Sequence, residues 1–162
     1  MIAVAKDLPP IIRTMHQSDV GAVSEIESNT YDFPWSAGIF RDCLLAGYTN
    51  LVLDHDGEIV GYGIMSVAAG EAHLLNICVI DRLRRQGVGS RLLQHMMQLS
   101  RAASAARIYL EVRPSNKSAF RLYGSAGYEV VGIRKNYYKA HDGKENAVVL
   151  VYKFDDVSNA TD

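Results

Sequence analysis

The sequence predicts an α/β domain in which a mixed β-sheet carries about four helices. Two observations lead there. The spacing of apolar residues switches between a period near two and a period of three to four, in the order α, α, β, β, β, α, β, α, β, β. A chain of 162 residues is also long enough to bury a core without disulfide or metal staples, and it falls in the range of one domain. Residues 1–154 therefore read as a single domain and 155–162 as a flexible polar tail, with residues 1–10 loosely held.

The first helix follows Ser18, an N-cap type, with Val20, Val23 and Ile26 at helical spacing; Ser36 caps a second, carrying Ile39, Phe40, Cys43 and Leu44. Phe33, Pro34 and Trp35 lie in the loop between them. Residues 49–54, 59–67 and 71–80 read as an antiparallel meander, in which Gly61 and Gly63 mark a bend or a close backbone approach. Val88, Leu92, Met96 and Leu99 then recur every three or four residues, so an amphipathic helix runs from about 88 to 106. Residues 107–112 return to strand. Asn116 caps a helix with Ala119, Leu122, Tyr123 and Ala126, and Gly127 stops it. Residues 128–133 and 147–154 are the last strands, linked through Asn136, Tyr137, Tyr138 and the turn residues His141, Asp142 and Gly143.

Composition excludes several classes. Lys and Arg number 17 against 18 for Asp and Glu, a net charge of −1, so no global field draws the chain to nucleic acid or anionic lipid. No apolar run reaches the length of a membrane span or a signal-peptide core, which predicts a soluble, cytoplasmic protein. Cys43 and Cys78 sit in apolar runs outside any CxxC or Cys/His cluster and read as buried free thiols. The five histidines form no HxxxH pair, so no metal is expected.

The most informative stretch is RRQGVG, residues 84–89, between an apolar strand and the helix that begins near Val88. A helix start offers free N–H groups and a positive dipole end, and Gly87 and Gly89 allow backbone to approach a ligand, so the stretch can cradle a diphosphate. Taken alone it also fits an ordinary strand-to-helix loop with solvated arginines. It is neither a Walker A loop nor a full GxGxxG.

The chain resembles the GNAT superfamily of N-acetyltransferases, on Arg84, Gly87 and Gly89 of that loop and on IYLEVRPSNKSAFRLYGSAGY at 108–128. FPWS at 33–36, LLNICV at 74–79, LEVRPSN at 110–116, LYGSAGY at 122–128 and RKNYY at 134–138 resemble, within it, the bacterial ribosomal-protein-alanine N-acetyltransferases. Five separated matches in order are far more specific than one glycine loop. The resemblance implies a mixed, mostly antiparallel central sheet flanked by about four helices, acetyl-coenzyme A as donor, and a protein N-terminus as acceptor, there the alanine of the eighteenth small-subunit ribosomal protein. It implies cofactor contacts at Ile77, Cys78, Val79, Arg84, Arg85, Gln86, Gly87, Val88, Gly89, Ser90 and Asn116. It also implies a peptide groove edged by Phe33, Pro34, Trp35, Tyr137 and Tyr138. One departure is GKENA at 143–147, with Asn146 where the family often has an acidic residue.

An α-ammonium with a reference pKa near ~8 must lose a proton before it attacks a thioester, so the site needs a base. Glu111 holds the position that serves as proton acceptor in the resembling enzymes; the other reading is an ion pair with Arg113 or a solvent-facing edge glutamate. Tyr123 holds the position of the acid that protonates the departing thiolate, or else simply packs in the core. Phe33 and Trp35 also fit as core aromatics. Cys78 as a covalent acetyl carrier is disfavoured, since no feature lowers its pKa. Two other functions share the cofactor machinery: acetylation of lysine or small amines, and a coenzyme A-binding interaction module without catalysis.

Overall fold

The computed structural model describes residues 8–155. Its elements are β1 (Ile11–Thr14), α1 (Val20–Thr30), α2 (Ala37–Leu45), β2 (Thr49–His55), β3 (Glu58–Ala68), β4 (Glu71–Val79), α3 (Val88–Ala102), β5 (Arg107–Val112), α4 (Lys117–Ser125), β6 (Glu129–Ala140) and β7 (Gly143–Lys153). The seven strands form one sheet in the order β1-β2-β3-β4-β5-β7-β6. β1/β2, β5/β7 and β6/β7 are antiparallel, and β4/β5 is parallel. This is the mixed, mostly antiparallel sheet with four helices that the sequence predicts. Apart from Asp155, the expected tail lies outside the described residues, as do residues 1–7 of the loosely held N-terminal stretch.

Contacts gather the chain into two compact units, one holding the described residues through Ile64 together with Asn76–Leu92, the other Met65–Leu75 and the residues from Leu93 on. In the first, Phe40, Val52, Leu53, Val60, Tyr62 and Ile64 are fully buried. Phe40 packs against Trp35 at 5.3 Å between ring centroids and meets Tyr62 edge-on at 5.6 Å. Gly61 shows the close approach expected of it: a Cβ there would sit 2.7 Å from the Cys78 carbonyl oxygen. Cys43 and Cys78 are both buried and unpaired, as predicted.

Two features of this unit differ from expectation. Ser18 does not cap α1; it lies inside a short 3₁₀ turn, Gln17–Asp19, and Asp19 accepts the His16 N–H at 2.8 Å instead. Strand β1 was not predicted, because four residues whose middle pair is half-buried carry no readable alternation. It is tied down by Arg13, which pairs with Asp19 at 2.8 Å and Asp54 at 2.9 Å. That guanidinium pulls the Asp19 carboxyl below the ordinary carboxylate range.

In the second unit Met96, Ile108, Leu110, Leu150 and Val151 are buried. On β5 the inward set is Ile108, Leu110 and Val112, which puts Tyr109 and Glu111 on the other face. Helix α3 ends at Ala102 and not near 106; Ser104 takes a left-handed φ of 67°, and the Ala106 N–H reaches the Gly70 carbonyl at 2.7 Å to start β5. Asn116 caps α4 by accepting the Ala119 N–H at 3.2 Å, and Gly127 ends it at φ 97°, both as expected.

The stretch expected to link the last strands is itself strand, since β6 continues to Ala140 and β7 starts at Gly143. The register slips between Arg134 and Tyr138. Asn136 sits there at φ 53°, its N–H donated to the Asn146 side-chain oxygen at 3.0 Å. A bulge breaks alternation, which is why the period gave no strand. Asn146, the departure noted above, serves as a hydrogen-bond acceptor for this bulge and needs no charge to do so.

Candidate active site

In the first unit, the end of β4 supplies Ile77, Cys78 and Val79, followed by a short 3₁₀ turn, Asp81–Leu83, and the glycine loop. Arg85 at φ 63° and Gly87 at φ 78° curl the backbone just before α3 opens at Val88. The amides of Val88, Gly89 and Ser90 thus head a helix, where no earlier turn accepts them, and they suit an anionic group such as a diphosphate. Gln86 and Ser90 are exposed, and Val88 is buried under the helix start. Arg84 is turned back: its Nε–H donates to the Val79 carbonyl at 3.1 Å and its guanidinium pairs with Asp81 at 2.9 Å. It braces the loop against the strand end.

The same unit holds a carboxylate that the sequence reading missed. Glu27, 3% exposed, accepts hydrogen bonds from the Tyr62 hydroxyl at 2.7 Å, the Asn76 amide at 2.9 Å and the Trp35 backbone N–H at 2.9 Å. The signal was its place four residues after Val23, on the buried face of α1. Through it the Phe33-Pro34-Trp35 loop is pinned. Trp35 is half-buried against Phe40, the core role considered for it, while Phe33 and Pro34 stay exposed.

In the second unit Glu111 projects from β5 with its side chain 8% accessible. One carboxylate oxygen lies 2.5 Å from His73 Nε2 on β4, the other 3.5 Å from the Arg134 guanidinium on β6. The His73 hydrogen bond, strengthened by charge from His73 and Arg134, outweighs burial and holds the carboxyl below its ordinary range. The sequence reading paired Glu111 with Arg113 as its alternative. Arg113 instead meets Glu145 at 3.2 Å and stacks over the Tyr138 ring at 4.3 Å, and Glu145 also accepts the Ser115 N–H at 3.0 Å. His73 and Arg134 went unnoticed because they are 38 and 23 residues away in sequence, and strand pairing alone brings them in.

Tyr123 is buried, 5.6 Å from the Tyr128 ring, and burial pushes its phenol well above the usual range, so it stays protonated. Tyr138 is raised likewise, chiefly by burial, and Tyr137 lies half-exposed against it at 4.8 Å. The parallel register of β4 with β5 covers only Glu71–His73 and Arg107–Tyr109. From Leu110 to Val112, β5 is registered with β7 alone. An ionised carboxylate can accept a proton, a protonated phenol can donate one, and β5 beyond Tyr109 leaves one edge without a registered neighbour.

The fold is that of an acyltransferase. The chain belongs to the acetyltransferase (GNAT) family, whose model matches residues 16–128. It is 36% identical over 139 residues, 86% of this chain and 94% of the relative, to the ribosomal protein bS18-alanine N-acetyltransferase of Escherichia coli K12. A putative enzyme of the same name from Bacillus subtilis is 35% identical over 141 residues, 86% of this chain and 92% of the relative. The crystal structure of the ribosomal-protein-S18-alanine N-acetyltransferase from Escherichia coli superposes with a TM-score of 0.83 at 34% identity, covering 91% of this chain and 95% of that one. The resemblance read from the sequence is borne out.

Proposed function

We propose that this chain transfers the acetyl group of acetyl-coenzyme A to the N-terminal α-amine of a protein, with the N-terminal alanine of ribosomal protein bS18 as the acceptor. The observation that carries it is the Glu111 carboxylate, kept ionised on β5. The names of the relatives at 35–36% identity supply the acceptor. A ribosomal acceptor places the reaction in the cytoplasm, and among the described residues no helix is long and apolar enough to cross a membrane.

Residues 1–154 act in this reading as one acetyltransferase domain. Arg85, Gln86, Gly87, Val88, Gly89 and Ser90 receive the diphosphate on a loop braced by Arg84, Ile77, Cys78 and Val79 pair with the pantetheine arm, and Asn116 contacts it. Phe33, Pro34, Trp35, Tyr137 and Tyr138 edge the peptide groove. The amine nitrogen bonds to the acetyl carbon as the carbon–sulfur bond breaks; Glu111 takes the amine proton and Tyr123 gives its hydroxyl proton to the departing thiolate. A low pKa makes Glu111 a weak base but one that is always available. A raised pKa keeps the Tyr123 hydroxyl protonated and so able to donate to the departing thiolate.

The test is thiol release from acetyl-coenzyme A with a peptide beginning Ala-Arg, its N-terminus free or blocked, with and without an internal lysine. Release only with the free terminus is expected. Release from the blocked, lysine-containing peptide moves the activity to side chains. Cofactor binding without release from any peptide points to the non-catalytic module.

A further inference from the structure

His73 is half-exposed, stands on a different strand from Glu111, and still makes the shortest polar contact to it, 2.5 Å from Nε2 to Oε2. An ionised carboxylate only accepts hydrogen bonds, so Nε2 is the donor. The groups facing Glu111 are His73 on β4 and Arg134 and Tyr138 on β6; Arg113, from its own strand, is turned to Glu145 on β7. Arg134 reaches the second oxygen at 3.5 Å, beyond good hydrogen-bond range, from a side chain that is 56% exposed. Among side chains, one oxygen therefore has a close donor and the other only the more distant Arg134, while the Glu111 backbone N–H adds a hydrogen bond to the carboxylate.

We infer that His73 is the positioning residue for Glu111, its ring N–H fixing one carboxylate oxygen so that the other receives the amine proton. This rests on Glu111 being the base. Without the ring donor, burial acts on the carboxyl against only Arg134 and the hydrogen bond of Glu111's own backbone N–H, and its pKa rises. Below that raised pKa the group carries a proton and cannot take another. The effect is thus a loss of activity that is greatest on the acid side, which a merely structural role for His73 does not produce.

The experiment compares His73→Leu, His73→Asn and His73→Gln across pH. It reads kcat/KM for the Ala-Arg peptide and, separately, the Glu111 carboxyl midpoint by carbon-13 NMR in protein without peptide. Leu removes the donor, Asn carries one too short to reach, and Gln restores an N–H at similar reach. The midpoint and the acid limb of the profile are expected to rise together by about one pH unit in the Leu and Asn variants, a roughly tenfold loss on the acid side. Rates at alkaline pH fall as well, from the lost positioning, but by less than on the acid side, and Gln returns most of both effects. An unmoved midpoint in both Leu and Asn variants overturns the inference, as does a midpoint that rises without moving the acid limb. The base reading fails on a different result: Glu111→Gln with wild-type kcat.

Discussion

Two glutamates in this chain sit where a carboxylate is costly, and their surroundings answer that cost in different ways. Glu27 is met by three neutral donors, the Tyr62 hydroxyl, the Asn76 amide and the Trp35 N–H, all within 2.9 Å. Glu111 is met by two side chains that are or can be cations, His73 and Arg134, both on strands remote in sequence and both in reach of solvent. The first arrangement fixes a loop. The second holds a charge beside side chains that can carry the opposite sign, which suits the proton acceptor proposed for it. Burial alone does not separate these two carboxylates; the nature of the donors does.

The comparison breaks first at Glu111. Replacing it with Gln should lower kcat by roughly 10²–10⁴-fold and lower the thermal midpoint at neutral pH only modestly, read by thiol release and calorimetry on one preparation. Its folded-state pKa is depressed, so its contribution to stability is present above the unfolded value and is lost as pH falls through the folded one. The Gln variant should therefore lose less stability on acidification than the parent, which chemical denaturation at neutral and acid pH would reveal.

Glu27→Leu should do the reverse. It strands one buried and two part-buried donors and should cost on the order of 3 kcal/mol in stability, with kcat of the folded fraction reduced far less than in the Glu111 variant. Urea unfolding beside single-turnover rates would check this; a stable but inactive Glu27 variant would erase the distinction. Tyr123→Phe should lower kcat by about tenfold or more with cofactor affinity unchanged in calorimetry. Gly61→Ala meets a backbone oxygen at 2.7 Å and should cost roughly 1–3 kcal/mol, seen as a lower thermal midpoint. Asn146→Ala is the smallest, about 0.5–1 kcal/mol, because the Asn136 N–H it leaves is exposed; Asn146→Asp keeps an acceptor and should be near neutral.

Elements with a clean period, such as α3 and the inward Ile108, Leu110 and Val112 of β5, were legible because burial of one face imposes the spacing. So were the caps at Ser36, Asn116 and Gly127, whose function is local. β1 and the Asn136 bulge were not, since a strand of four residues and a register slip leave no periodic trace. In the candidate site, Glu111 stood out as a charge in an apolar strand. Its partners did not, because a hydrogen bond across 38 residues is decided by strand order. Glu27 shares the buried face of Val20 and Val23, but Ile26 beside it satisfies the same helical spacing with an apolar side chain, so the carboxylate did not stand out.

Both cysteine thiols are covered, Cys43 at 6% exposure and Cys78 at 4%. A colorimetric thiol reagent added to a turnover assay should therefore register the coenzyme A set free and ignore the folded catalyst. As the chain opens, the same reagent acquires two new targets per molecule. One cuvette then serves as both a rate meter and a clock for unfolding, and a damaged variant will announce itself as a slow signal that persists when the acceptor peptide is left out.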